Sequence, residues 1–298
     1  MRTPSFSELE IHFDPEALWV LNLALGFIMF GIALEIKPAH FRLLWQAPRP
    51  IFAGLFSQFV ALQLVTYLLV WLIEPDPDIA LGMFLVAACP GGNVSNFMSH
   101  FARGNSALSI SLTAISSVAA VIMTPFVFNA MAHFYFETRA SSPNFSISFQ
   151  EMFKVVIFIL GIPLLTGMSF AYFFPEISKR LSVAFKWVSV LFFALLVLLL
   201  IAQNRSAFQM SILVLVGLVV MHNLLALTVG FSVATLFGLP PADRRTLSIE
   251  TGIQNSGLGL LLIFSFFDQN KGMAVVAALW GIWHLISGMS LAFYWSKR

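Results

Sequence analysis

A single carboxylate, Glu250, stands in the stretch ETGIQNSG between the apolar runs TLSI and LGLLLIFSFF, with no basic residue near it in sequence to neutralise it. An ionised carboxylate in the middle of a bilayer costs at least about 2.5 kcal/mol on insertion scales, so a proton or a metal ion is needed to offset that charge. The neighbours are neutral oxygen donors. Gln254, Asn255 and Ser256 follow Glu250, and a second polar stretch, CPGGNVSN, offers Asn93, Ser95 and Asn96. Hard cations prefer carboxylate, carbonyl, amide and hydroxyl oxygens, and no His or Cys cluster suggests a transition metal, so sodium fits better than zinc or copper. Ser109 and Thr113, four residues apart, share one helical face. Their hydroxyls can join such a site or return hydrogen bonds to their own helix backbone. Gln58 reads as either a packing amide or an ion ligand.

The elements that carry these residues lie in lipid. Of 298 residues, 59% are hydrophobic and only 10% charged, against roughly 25% charged in a soluble domain. The chain reads as one all-α membrane domain over residues 1–298, with no basic nucleic-acid surface. Residues 1–16 hold four acids and one arginine, unlike a cleaved signal peptide, so the first helix is expected to direct its own insertion. The single cysteine, Cys89, excludes an internal disulfide and reads as a packed thiol.

Nine segments are long enough to span: Ala17 to Ile36, Pro50 to Ile73, Ile79 to Phe101, Asn105 to Asn129, Met152 to Phe174, Leu181 to Ala202, Ser211 to Phe237, Thr246 to Phe267 and Gly272 to Trp295. Eleven Lys and Arg residues fall on the side of the C-terminus and five on the other, which predicts a cytoplasmic C-terminus and an external N-terminus. The third and eighth segments are each interrupted by a polar, Gly-rich centre, and Pro90 adds to the first break. Glycine and proline there free backbone groups that lipid cannot satisfy. Each interrupted segment is the middle member of a trio, segments two to four and seven to nine, and the trios run in opposite directions. This is the pattern of inverted repeats with paired discontinuous helices, whose crossing marks a transporter's midplane site.

The stretches CPGGNVSNFMSHFARGNSALSISLT, ETGIQNSGL and WHLISG, in that order, resemble the bile acid:sodium symporter family through nearly the whole chain from GIALEIKP onward. The resemblance implies two sodium ions. The first would be held by Ser95, Asn96, Ser109, Thr113 and Glu250, the second by Gln58, Glu250, Gln254 and the backbone carbonyls of Thr251 and Ile253. It also implies a core, residues 50–129 and 211–295, moving against a panel, residues 17–36 and 152–202. Bacterial members of that family often have ten spans, and the nine expected here would lack the first, as in some animal members. The resemblance places Asn255 against the substrate's anionic group and Asn93, His284 and Leu285 beside it. Asn93 and Leu285 differ from residues common in the family, so substrate identity does not transfer.

The resulting expectation is a symporter of the bacterial inner membrane, monomeric or weakly dimeric. It would import a bile-acid-like or smaller organic anion by alternating access. A sodium/proton antiporter acting through Glu250 is the competing transport reading, though it lacks a second buried acid. An intramembrane hydrolase using Ser287 and His284 lacks both a GxSG motif and a catalytic carboxylate. His222 is expected to be a satisfied contact between helices.

Overall fold

The computed structural model describes residues 26–139, 149–185, 205–267 and 270–298, together with 188, 191 and 195. Among these residues the chain is helical, and the one β-bridge is the isolated pair Gly91 and Gln254. Helix α1 covers 26–33, and short turns over Pro38–Arg42 and Leu43–Gln46 lead to α2, Pro48–Ile73. Then follow α3 (Pro77–Ala88), α4 (Val94–Phe101) and α5 (Ser106–Arg139). Helix α6 runs from Phe149 to Phe173, α7 covers 175–185, and α8 is Arg205–Leu236. Helices α9 (Pro241–Gly252), α10 (Ser256–Phe266) and α11 (Lys271–Ser296) complete the order.

Local sequence sets these boundaries. Asp76 caps α3, its side chain accepting from Asp78 N, and Pro77 occupies the first turn, where no donor is missed. Asn255 and Asn270 cap α10 and α11 in the same way. Four stretches are long and apolar enough to cross a membrane: Pro48–Ile73, Ser106–Thr138, Leu213–Leu236 and Lys271–Ser296. Pro77–Ala88, Ile162–Phe173 and Ser256–Phe266 are shorter apolar helices. The protein is therefore a multi-pass membrane protein. Most of the expected sixth span, Leu181 to Ala202, and residues 17–25 of the first lie outside the described residues.

The third and eighth segments each divide into two helices, α3 with α4 and α9 with α10. Their breaks touch. Gly92 N donates to Ile253 O at 2.8 Å and Asn255 N donates to Pro90 O at 2.8 Å, so each break satisfies backbone groups of the other. Small residues bring the surrounding helices close, as packing in lipid requires. On α11, a Cβ on Gly281 would lie 2.8 Å from Ser256 Oγ, and one on Gly288 would lie 2.5 Å from Ile253 Cδ1. Helix α11 thus packs on both sides of the break between α9 and α10. Elsewhere Ala33 and Ile36 pack with Leu164 of α6 and Ala114 of α5, and Ser178 of α7 donates to Leu34 O at 3.1 Å.

Helix α5 continues ten residues past Asn129, where the expected fourth span ends. His133 and Glu137 lower the hydropathy there, yet they form an i,i+4 pair at 3.1 Å on a helix that continues beyond its apolar part.

Candidate cation and substrate site

Glu250 occupies the last turn of α9 and is 3% exposed. Its Oε1 accepts from Ser95 Oγ at 2.5 Å and from Ser109 Oγ, and its Oε2 accepts from Thr113 Oγ1 at 2.9 Å. Asn96 Oδ1 lies 3.0 Å from Ser109 Oγ and 3.2 Å from Thr113 Oγ1, and Ser95 Oγ lies 3.4 Å from Thr113 Oγ1. Helices α4, α5 and α9 therefore bring all five residues of the expected first site together. Six oxygen–oxygen contacts join these side chains, but the three hydroxyls supply only three hydrogens. The cluster is rich in acceptors and poor in positive charge, which is the condition a hard cation relieves.

Ser109 and Thr113 thus turn toward the carboxylate instead of toward their own backbone. One turn further along α5, Ser116 and Ser117 do the opposite and donate to Thr113 O. The difference follows from what each face meets: α9 lies against the first pair.

Gln58 sits in a single π turn of α2, Ser57–Ala61. Such a turn inserts an extra residue and re-aims the side chains beside it. Ser57 Oγ reaches Thr251 Oγ1 at 2.8 Å, while Gln58 Nε2 donates to Gln254 Oε1 at 2.8 Å and to Cys89 O at 2.9 Å. Gln254 Nε2 donates in turn to Thr251 O at 2.8 Å, and Ile253 O accepts from Gly92 N. All members of the expected second set therefore surround the break in α9. A Cβ on Gly91 would stand 3.0 Å from Glu250 Oε2, 3.4 Å from Glu250 O and 3.9 Å from Gln58 Oε1. The room that this glycine leaves is lined by oxygen from two helices.

The four expected substrate residues are placed less uniformly. Asn93 and Asn255 are half-buried at the two breaks, with Asn255 Oδ1 accepting from Leu258 N at 3.0 Å. His284 is buried at 5% exposure, whereas Leu285 lies on an exposed stripe of α11 with Ile282, Ile286 and Met289.

Several polar contacts escaped the sequence reading. Thr124 donates to Ala88 O at 2.7 Å, serving the carbonyl freed where α3 ends. Asn223 donates to Gly252 O at 2.7 Å, serving the end of α9. Asp243 is 7% exposed and accepts from Asn105 Nδ2 at 2.9 Å, so a second buried acid does exist. It lies seven residues before Glu250, about 10 Å away along a helix axis. Isolated polar residues in apolar runs give no periodic signal, and only burial distinguishes these.

His222 is half satisfied: Nε2 bonds Thr66 Oγ1 at 2.8 Å, while Nδ1 has no partner among the described residues. Ser287 donates to Asn223 Oδ1 at 2.5 Å and to His284 O at 3.3 Å, not to the His284 ring. That geometry removes the nucleophile–base pair a hydrolase would need. Among the described residues no group of three or more His, Cys, Asp and Glu side chains could hold a metal, and Cys89 is a buried free thiol.

Apolar helices interrupted in pairs at a buried, oxygen-lined carboxylate define a membrane transporter. Sequence comparison agrees. A family model described as "Sodium Bile acid symporter family" matches residues 22–211. An "Uncharacterized sodium-dependent transporter YocS" of Bacillus subtilis is 31% identical over 98% of this chain and 89% of its own length. "Probable sodium/metabolite cotransporter BASS1, chloroplastic" of Arabidopsis thaliana is 31% identical over 94% of this chain and 67% of its own. Human "P3 protein" is 31% identical over 85% of the chain, which spans about half of that relative's length, 52%. The chain belongs to the sodium bile acid symporter family and is a sodium-dependent transporter, not an enzyme.

Proposed function

We propose that the protein imports an amphipathic organic anion, bile-acid-like or a smaller carboxylate, together with two sodium ions. The observation that carries this reading is the acceptor-rich cluster of Ser95, Asn96, Ser109, Thr113 and Glu250. One sodium completes that cluster. The second lies beside Gly91, between Glu250, Gln58, Gln254 and the carbonyls of Thr251 and Ile253. Glu250 serves both ions, its two oxygens facing different donor sets.

The nine spans form inverted repeats around the crossed breaks. Sodium binding orders the crossing and thereby shapes the face on which the substrate sits, with Asn93 and Asn255 toward its anionic group and His284 and Leu285 alongside. The core, 50–129 and 211–295, then rocks against the panel, 17–36 and 152–202. Helix N-termini at the breaks carry roughly half a positive charge each and favour an anion. Two sodium ions with one monovalent anion carry one net positive charge inward, worth about 2.3 kcal/mol per 100 mV.

The test is sodium-driven uptake into proteoliposomes, with substrates first chosen by thermal-shift screening of organic anions in sodium and in choline. Glu250→Ala is expected to abolish sodium-driven uptake while leaving the protein in the membrane. Uptake by this variant that remained normal in sodium-free buffer would refute the coupling. Sodium/proton exchange with no organic substrate present would favour the antiporter reading.

A further inference from the structure

We propose that Asn223 is a positioning residue for the cation site: its amide replaces the backbone donor that α9 loses at the break and fixes the carbonyls on either side of Gly252. This inference rests on the sodium reading above and adds a residue from α8 to it.

In an uninterrupted helix the Gly252 carbonyl would accept from the N–H of Ser256. That N–H is turned away and donates to Gln254 O at 3.0 Å. Gly252 O instead accepts from Asn223 Nδ2 at 2.7 Å. The other end of the same amide is also engaged, Oδ1 accepting from Ser287 Oγ of α11 at 2.5 Å, and Asn223 is fully buried. One side chain thus links α8, the end of α9 and α11.

Close packing makes this reach possible. A Cβ on Gly252 would lie 2.3 Å from Leu227 Cδ2, so a larger residue would have to displace the Leu227 side chain of α8, and Ser248 Oγ donates to Leu227 O at 2.8 Å one turn earlier on α9. Glycine also leaves the peptide free to rotate, so its orientation must be imposed from outside. The consequence falls on its neighbours. Gly252 stands between Thr251 and Ile253, whose carbonyls are the proposed ligands, and turning one peptide plane re-aims the next. Thr251 O is otherwise steadied by Gln254 Nε2 and Ile253 O by Gly92 N. Ser287 adds a link to α11, where the adjacent Gly288 packs on Ile253 and on Met98 of α4.

The experiment uses sodium alone as the probe. Purified full-length protein is titrated with sodium chloride at constant ionic strength in choline chloride, and half-saturation is read from the thermal shift. Asn223→Ala is expected to raise the half-saturating sodium concentration about tenfold or more, since a buried carbonyl loses its partner. Ser287→Ala, which spares the bond to Gly252, is expected to raise it by less than about threefold. Should Asn223→Ala not be recovered folded, Asn223→Ser, whose hydroxyl is too short to reach Gly252, is expected to show the same tenfold loss.

An Asn223 variant that melts lower without sodium yet keeps the native half-saturation has a merely structural role, and the proposal falls. Gln58→Ala separates the two claims. If it shifts the sodium midpoint while the Asn223 variants do not, only the role of Asn223 fails. If neither shifts it, or sodium does not stabilise the native protein, the cation-site reading fails with it.

Discussion

Neighbouring hydroxyls of one helix can have opposite roles, and α5 shows why spacing alone does not assign them. Ser109 donates to Glu250, whereas Ser117 donates to Thr113 O within its own helix. A hydrogen bond to a charged group contributes about 1.5–3 kcal/mol, so Ser109→Ala should weaken apparent sodium affinity at least about tenfold. Ser117→Ala should change it by less than about twofold, as expected for a satisfied backbone return. Sodium titration of uptake distinguishes the two. Gly91→Ala tests the second ion: the added methyl would stand 3.0 Å from Glu250 Oε2, and the Hill coefficient for sodium should fall toward one. Glu250 was legible in the sequence because a lone acid between apolar runs is costly and must be answered. Asn223, which bonds the end of α9, was not legible, because one amide in a long apolar run has the composition of any polar packing contact. What distinguishes it is the carbonyl it meets, which lies 29 residues away in the chain.

Among the elements, both breaks were visible as Gly-rich polar centres, since proline and glycine weaken the helical ladder whatever surrounds them. The π turn of α2 was not visible. SQFVA has nothing to separate it from ordinary helix, and the extra residue is stabilised by the contacts that Ser57 and Gln58 make with Thr251, Gln254 and Cys89. Deleting Val60, whose side chain is 42% exposed, would restore regular winding and turn Ser57 and Gln58 away from α9 by about 100° relative to the rest of α2. Circular dichroism should remain helical while sodium-driven uptake is lost. Retained uptake would show that the turn does not aim these side chains. Length was the other quantity that sequence set only loosely. Helix α5 reaches at least Arg139 because its amphiphilic turns beyond Asn129 remain good helix after hydropathy has fallen.

At the level of the whole molecule, charge distribution predicts an orientation that the single cysteine makes easy to test. Cys89 is buried, so it contributes little background to labelling by a membrane-impermeant maleimide. Pro77→Cys, at the exposed start of α3, should react from outside intact cells and Lys297→Cys only after permeabilisation; the reverse pattern would invert the topology. Transport in proteoliposomes should also accelerate when the interior is made negative, because the proposed stoichiometry moves net positive charge inward. The backbone bonds between the breaks carry a consequence for biogenesis. Pro90 O and Gly92 N wait for Asn255 N and Ile253 O, which are synthesised more than 150 residues later. Until the ribosome has delivered that second interruption, the first holds unpaired peptide groups inside the bilayer, an open seam that lipid cannot close. A fragment ending at residue 240 should therefore be short-lived in cells, and co-expression of the remaining piece from a separate message should prolong its half-life.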